Sequence, residues 1–372
     1  MICENSKKDT ITKRRKHHAQ KKQSLNNHPC MLTPMQKKQV ISLFILLLFF
    51  IFFLPDFIAI TAQDADQTNM IMDQNQQTYA SIQQAINMVS NESTIYLSNG
   101  TYNEPIIINK SINLIGENSH STILCSNESM VILITADMVC IKNLSIQGRT
   151  NQHQQGINIT HSQDILISNN NLSSFTNQSI IIGNESHQVI IENNSFTKNG
   201  NAISIYGKQN KISYNEFKNN INNGIILYSN ANKNTIDHNT FLNNSDYGLH
   251  IQKDAKNTTI YLNNFMDIFD AKNKEEQTIW YNDTLNMGNY WDRYTGKDVN
   301  NDGIGDTTYK RLEDNIINDP YPLMYPVQTH TENTYDPTNP GLFYVLTLGV
   351  IFSVILLIPI AYWWRKNVLF KK

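Results

Sequence analysis

The chain has 372 residues, 17% of them charged, and a formal net charge of -2. The small balance hides a segregation: ten Lys/Arg precede residue 39 against Glu4 and Asp9, and Arg365, Lys366, Lys371 and Lys372 close the chain. Residues 63–340 carry 16 basic and 29 acidic residues, a difference of -13, which argues against nucleic-acid binding by that stretch.

Residues 1–39 read as a basic cytoplasmic tail or the basic start of a signal peptide. Residues 40–62 are an apolar signal peptide or a membrane anchor. The run is short, like a signal-peptide core, and Ile60-Thr61-Ala62 is an available cleavage site. Residues 63–77 are polar and read as a linker. Ile82, Ala85, Ile86 and Val89 then fall at helical spacing, which predicts a short amphipathic helix. A stacked repeat exposes an apolar end and needs a cap, and this helix is placed there.

Short Ile/Val-rich runs bounded by Asn, Gly and Lys follow, too short for helices. Between residues 156 and 265 one phrase recurs: Asn170-Asn171-Leu172, Asn194-Ser195-Phe196, Asn215-Glu216-Phe217, Asn239-Thr240-Phe241 and Asn263-Asn264-Phe265. Its first Asn returns after 24, 21, 24 and 24 residues. That period, with alternating apolar residues, predicts an all-β fold, a right-handed single-stranded parallel β-helix over residues 79–285. Leu172, Phe196, Phe217, Phe241 and Phe265 should stack inside at a rung spacing of about 4.8 Å. The repeated Asn tolerates a left-handed bend, and its amide can pair with the Asn of the next rung. Both roles belong to the scaffold.

The period fades after Phe265. Residues 286–326 form an acidic, aromatic tail module, and residues 327–341 a Pro/Asn/Thr linker. Residues 342–364 are uncharged and end in Tyr362-Trp363-Trp364, followed by the basic tail 365–372. About 20 apolar residues span a bilayer, and aromatic then basic residues mark the cytoplasmic side, so a transmembrane helix is expected. The main domain is therefore expected outside the cytoplasm.

Four groups of residues invite chemistry. In Asp298-Val299-Asn300-Asn301-Asp302-Gly303-Ile304-Gly305-Asp306, oxygen side chains fall at positions 1, 3, 5 and 9, with Gly at 6 and the Ile304 carbonyl at 7. This is the spacing of a Ca²⁺ loop, because a hard cation wants several oxygens converging from one tight turn. Tyr309 replaces the bidentate acid at position 12, and Asp306 or Asp314 is left to complete the shell; an ion-free Asx turn is the alternative. Second, His120, His153, His161, His187, His238, His250 and His330 show none of the close pairing of a dedicated soft-metal site. Third, Glu192 and Glu216, one coil apart, are the acids nearest to a hydrolytic pair, and no acid cluster with a nearby Arg is visible as a lyase would want. Fourth, Cys125 and Cys140 are read as separate thiols rather than a disulfide. Sequons at Asn99, Asn143, Asn171, Asn243 and Asn257 follow from an Asn-rich composition.

Ser81-Ile82-Gln83-Gln84-Ala85-Ile86, Asn99-Gly100-Thr101-Tyr102-Asn103-Glu104 and Lys110-Ser111-Ile112-Asn113-Leu114-Ile115-Gly116 resemble the opening of pectin-lyase-like right-handed β-helix proteins. Gly288-Asn289-Tyr290-Trp291-Asp292-Arg293-Tyr294 and Asp319-Pro320-Tyr321-Pro322-Leu323-Met324 are similar to the end of NosD-type proteins. The resemblance implies the β-helix, and it implies a periplasmic copper-binding role beside an ABC transporter. It transfers no catalytic residue. The residues themselves favour a membrane-anchored surface protein that binds carbohydrate or a surface partner, with Tyr206, Tyr228 and Tyr261 as candidate sugar contacts. Copper delivery and a polysaccharide lyase or hydrolase are the alternatives.

Overall fold

The computed structural model describes residues 69–149, 153–311 and 315–328. The apolar segments 40–62 and 342–364 and both basic tails lie outside the described residues. Among the described residues no helix is long and apolar enough to cross a membrane.

The chain winds into a right-handed coil of about eight turns. Each turn gives one strand to each of three sheets, of ten, nine and eight strands. One turn runs from His187–Glu192 in the ten-stranded sheet to Ser195–Thr197 in the nine-stranded and Asn201–Ile205 in the eight-stranded sheet. Pairing between turns is parallel and in register, for example Phe196 with Phe217 and Ile203 with Ile225. Register holds because alternation sends every second Ile into the coil, and a one-residue slip would turn each of them to solvent.

The expected inner stack exists and is longer than the repeat. Successive rings from Phe196 through Phe217, Phe241 and Phe265 lie 4.9–5.0 Å apart. Trp291 continues the stack at 4.5 Å and Tyr309 at 4.4 Å. The tail module therefore closes the coil by extending its core.

The Asn ladder also exists. Asn194 Nδ2 donates to Asn215 Oδ1 (3.1 Å), Asn215 to Asn239 (3.0 Å) and Asn239 to Asn263 (3.0 Å). A second ladder, Asn199, Asn220 and Asn244, runs along the bend between the nine- and eight-stranded sheets. Sequence reasoning missed it, although each of these Asn recurs five residues after an Asn of the first ladder.

The cap helix spans Ile82–Met88 and buries Ile82, Ala85 and Ile86. Ser81 caps it, and the Glu104 carboxylate accepts from the Ile82 and Gln83 amides at 2.8 and 3.2 Å. Its first turn carries no acid of its own, so Glu104 supplies the negative charge that a helix N-terminus favours. The stretch read as a linker holds a strand instead. Ile71–Asp73 pairs antiparallel with Ser93–Leu97, because Ile71 and Asp73 are buried against the first turn. Three residues are too few to show a pattern in the sequence. Cys125 and Cys140 are free thiols, as expected.

Candidate functional site

The outer face of the eight-stranded sheet gathers aromatic and basic side chains. Ser204, Ile226, His250 and Lys272 are consecutive register partners on its outward row. Tyr206 and Tyr228 directly follow two of these strands and stack at 4.1 Å with planes 7° apart. Burial, then the Tyr228 bond, pushes the Tyr206 hydroxyl up to about 12, so it stays a neutral donor. At the other margin Tyr247 packs against His250 (5.6 Å) and Phe269 (5.8 Å), with Lys272 Nζ 5.3 Å from the Tyr247 ring centre. Ile226 is only 6% exposed although it points outward, so its neighbours close over the row. His250 Nε2 is buried without a hydrogen-bond partner. Burial holds this imidazole below its usual 6.5, and the Lys272 and Lys274 charges push the same way against Asp246. It is neutral near pH 7.

The third proposed sugar contact, Tyr261, is not on this face. It stands at the bend between the ten- and nine-stranded sheets, in register with Asp237. There His238 Nδ1 bonds Asp237 Oδ2 at 2.8 Å, and Tyr214 stacks on His238 at 4.5 Å. His238 and His250 thus lie on different faces. Glu192 and Glu216 are separated as well. Glu192 pairs with Ser213 in the ten-stranded sheet and Glu216 with Ser195 and Thr240 in the nine-stranded sheet. The bend that places the Asn ladder between them sends the two carboxylates to different sheets.

The structure corrects one expectation: acids and arginines do cluster. Asp267, Asp270 and Asp292 meet Arg293 and Arg311 at the C-terminal end of the coil. Arg293 Nη2 donates to the Asp267 carbonyl (3.2 Å), and Arg311 Nη2 lies 3.9 Å from Asp270 Oδ2. Burial, with the neighbouring acids, pushes Asp267 up to about 7 and Asp270 up to about 6. The Asp267 and Asp270 side chains are almost inaccessible, whereas Asp292, Arg293 and Arg311 keep 35%, 43% and 41% of their side-chain surface. The members of the cluster come from three stretches, 267–270, 292–293 and 311, that lie beyond the repeat, so no period places one against another.

The Asp-rich loop curls around its own amides. Asp298 accepts from the Asp302 and Gly303 amides (3.2 and 2.9 Å), Asp302 from Ile304 (2.9 Å) and Asp306 from Val299 (2.7 Å). Asn300 Nδ2 donates to Asp302 at 2.9 Å. Tyr309 is committed to the Trp291 stack, and Asp314 lies outside the described residues.

Residues 69–296 match the profile of the family described as periplasmic copper-binding protein (NosD). The chain belongs to this family. No curated protein matches the sequence. Solved structures similar to it include Geobacillus virus E2 ORF18, at 15% identity and TM-score 0.40, over 54% of this chain and 55% of that one. A tailspike protein gp49 from Acinetobacter baumannii bacteriophage Fri1, a capsular polysaccharide depolymerase, matches at 12% identity and TM-score 0.45, over 54% and 44%. An alginate lyase from a Paenibacillus species matches at 12% identity and TM-score 0.33, over 53% and 91%. The chain spans about half the length of the first two.

Copper, named in the family's description, asks for converging imidazole or sulfur ligands. Among the described residues no three His, Cys, Asp or Glu side chains converge on one point. His238 has Asp237 as neighbour and His250 has lysines. Among the described residues these side chains do not fit a copper centre.

Proposed function

We propose that the chain is a membrane-anchored, extracytoplasmic β-helix protein that binds carbohydrate on the outer face of its eight-stranded sheet. The stacked pair Tyr206–Tyr228 carries this reading. Aromatic faces take the apolar side of a sugar ring, and neutral hydroxyls bond its hydroxyls. Tyr247, Phe269 and His250 extend the same surface by one or two rungs. Extracytoplasmic placement is supported by the family's periplasmic description, and anchoring by the apolar segment 342–364.

A glycan array probed with the purified chain tests the reading. At least one glycan class should bind, and a Tyr206→Ala/Tyr228→Ala double variant should lose about tenfold or more, as two stacking contacts imply. An empty array, or a double variant that binds like the parent, sinks it. Within this reading the ABC-transporter partner has no role.

A further inference from the structure

The arms of the Asp-rich loop leave an open cleft of about 650 Å³ between residues 293–299 and 306–310. The Tyr294 hydroxyl ties the arms together by donating to the Thr307 carbonyl at 2.6 Å. A side chain at Gly296 or Gly305 would run into the Tyr294 ring, so glycine at both positions leaves room for that ring between the arms.

Its lining is electrically unlike the rest of the acidic domain. Arg293, Lys297 and Lys310 face it, with Thr295 and Thr308, against the single carboxylate of Asp306. Asp306 Oδ2 is already engaged by the Val299 amide. Asp292 lies 3.9 Å from Arg293 Nε. Among the described residues, Lys297 and Lys310 have no carboxylate within ion-pair distance. Two ammonium groups with no carboxylate partner among the described residues, beside a guanidinium shared with Asp292 and the Asp267 carbonyl, give a hydroxyl-lined hollow the charge to receive an oxyanion. The open shape and the threonine hydroxyls suit a sugar polymer that carries the anion.

We propose that this cleft binds the acidic groups of an anionic polysaccharide, at a site separate from the aromatic face. The ammonium groups point-charge the carboxylate or sulfate, and the threonines bond neighbouring hydroxyls. Ionic contacts at this degree of exposure weaken with salt.

Calorimetric titration of the purified full chain tests this with polygalacturonate, dextran sulfate and neutral dextran. Either acidic polymer should bind, and its choice separates carboxylate from sulfate recognition. Lys297→Met/Lys310→Met should weaken binding about tenfold or more, as expected for two charge-assisted contacts. Lys297→Arg/Lys310→Arg should retain it, and thermal melting of both variants excludes misfolding. Lys198→Met, an exposed lysine on the coil and in neither proposed site, should leave it unchanged, which ties the loss to this cleft. The proposal is overturned if raised salt leaves acidic-polymer binding unchanged, or if neither acidic polymer binds. It also fails if the methionine variant binds like the parent, or if poly-L-glutamate is preferred to both polysaccharides.

Discussion

Asn244 ends its ladder on Asp267, giving that carboxylate both its backbone amide at 2.6 Å and its side-chain amide at 3.2 Å. The other ladder ends the same way, with the Asn289 amide donating to Asp319 at 2.8 Å. Each Asn passes its donors to the next rung, and the last needs an acceptor that donates nothing onward. An aspartate meets that need, but at the cost of burying a charge.

The cost sets a pH dependence. Burial pushes Asp267 from 3.8 up to about 7 and Asp319 up to about 6. A carboxyl that holds its proton more tightly when folded stabilises most below its unfolded pKa. That stability is lost as pH rises through the folded value. The end cap should therefore loosen between about pH 4 and pH 7, by on the order of a few kcal/mol if the shift is fully expressed. Asp267→Asn should melt higher than the parent above about pH 7, and the gap should close toward pH 4. Melting curves across that range check it; an Asn variant less stable at every pH rejects the account.

The middle of the first ladder should be far more sensitive than its flank. Asn215 Nδ2 reaches the Ile191 and Ser213 carbonyls (2.8 and 2.9 Å) and Asn239 Oδ1, while Asn215 Oδ1 accepts from the Asn194 amide at 3.0 Å. Asn215→Ala strands several buried groups, each costing roughly 1–3 kcal/mol when left unpaired. Asn171→Ala, on the half-buried outer side, should cost about 1 kcal/mol. Urea denaturation of the two variants separates them, and equal midpoints would contradict the ladder's role.

What the sequence revealed was the inside of the coil. Phe196, Phe217, Phe241 and Phe265 could be placed because a repeat fixes which residue sits on which above it. The outside was harder to read. Tyr206, Tyr228 and Tyr261 look alike on paper, yet the first two flank the eight-stranded sheet and the third a different bend. Glu192 and Glu216 fall on different sheets because two bend residues divide them. The acid cluster at the end of the coil was invisible for another reason. Asp270 and Arg311 meet through the non-repeating tail, where no period carries one residue's place to the next.

His250 offers a test of the aromatic face that needs no ligand. Burial lowers its pKa first, and the Lys272 and Lys274 charges lower it further. Lys272→Met removes one repulsive charge and should move the imidazole upward, toward 6.5. Lys198→Met lies on a different turn of the coil and should leave it in place. NMR titration of the His250 ring reads the shift directly. A downward or absent shift would mean that Lys272 does not lie against this imidazole.

The Asp-rich loop makes the last prediction. Asp298, Asn300, Asp302, Asp306 and the Ile304 carbonyl keep the spacing of a calcium loop; among the described residues their carboxylates do not converge but bond the turn's own amides, so an ion would have to draw them together. We propose Ca²⁺ as its ligand. With Tyr309 held in the core stack, the bidentate acid is missing, so affinity should fall in the weak range of about 10⁻⁴–10⁻³ M. At ten times that dissociation constant, binding adds only about 1.4 kcal/mol, or roughly 2–4 °C in Tm for a domain of this size. Calcium at about 10 mM should therefore raise the melting temperature by that amount. Magnesium should do less, since it demands a tighter octahedral shell. Asp298→Asn/Asp302→Asn should abolish the shift without lowering the calcium-free melting temperature by more than about 1–2 °C, because the loop is exposed and Asn can still accept the turn amides. An unchanged melting curve in calcium leaves the loop as an ion-free turn.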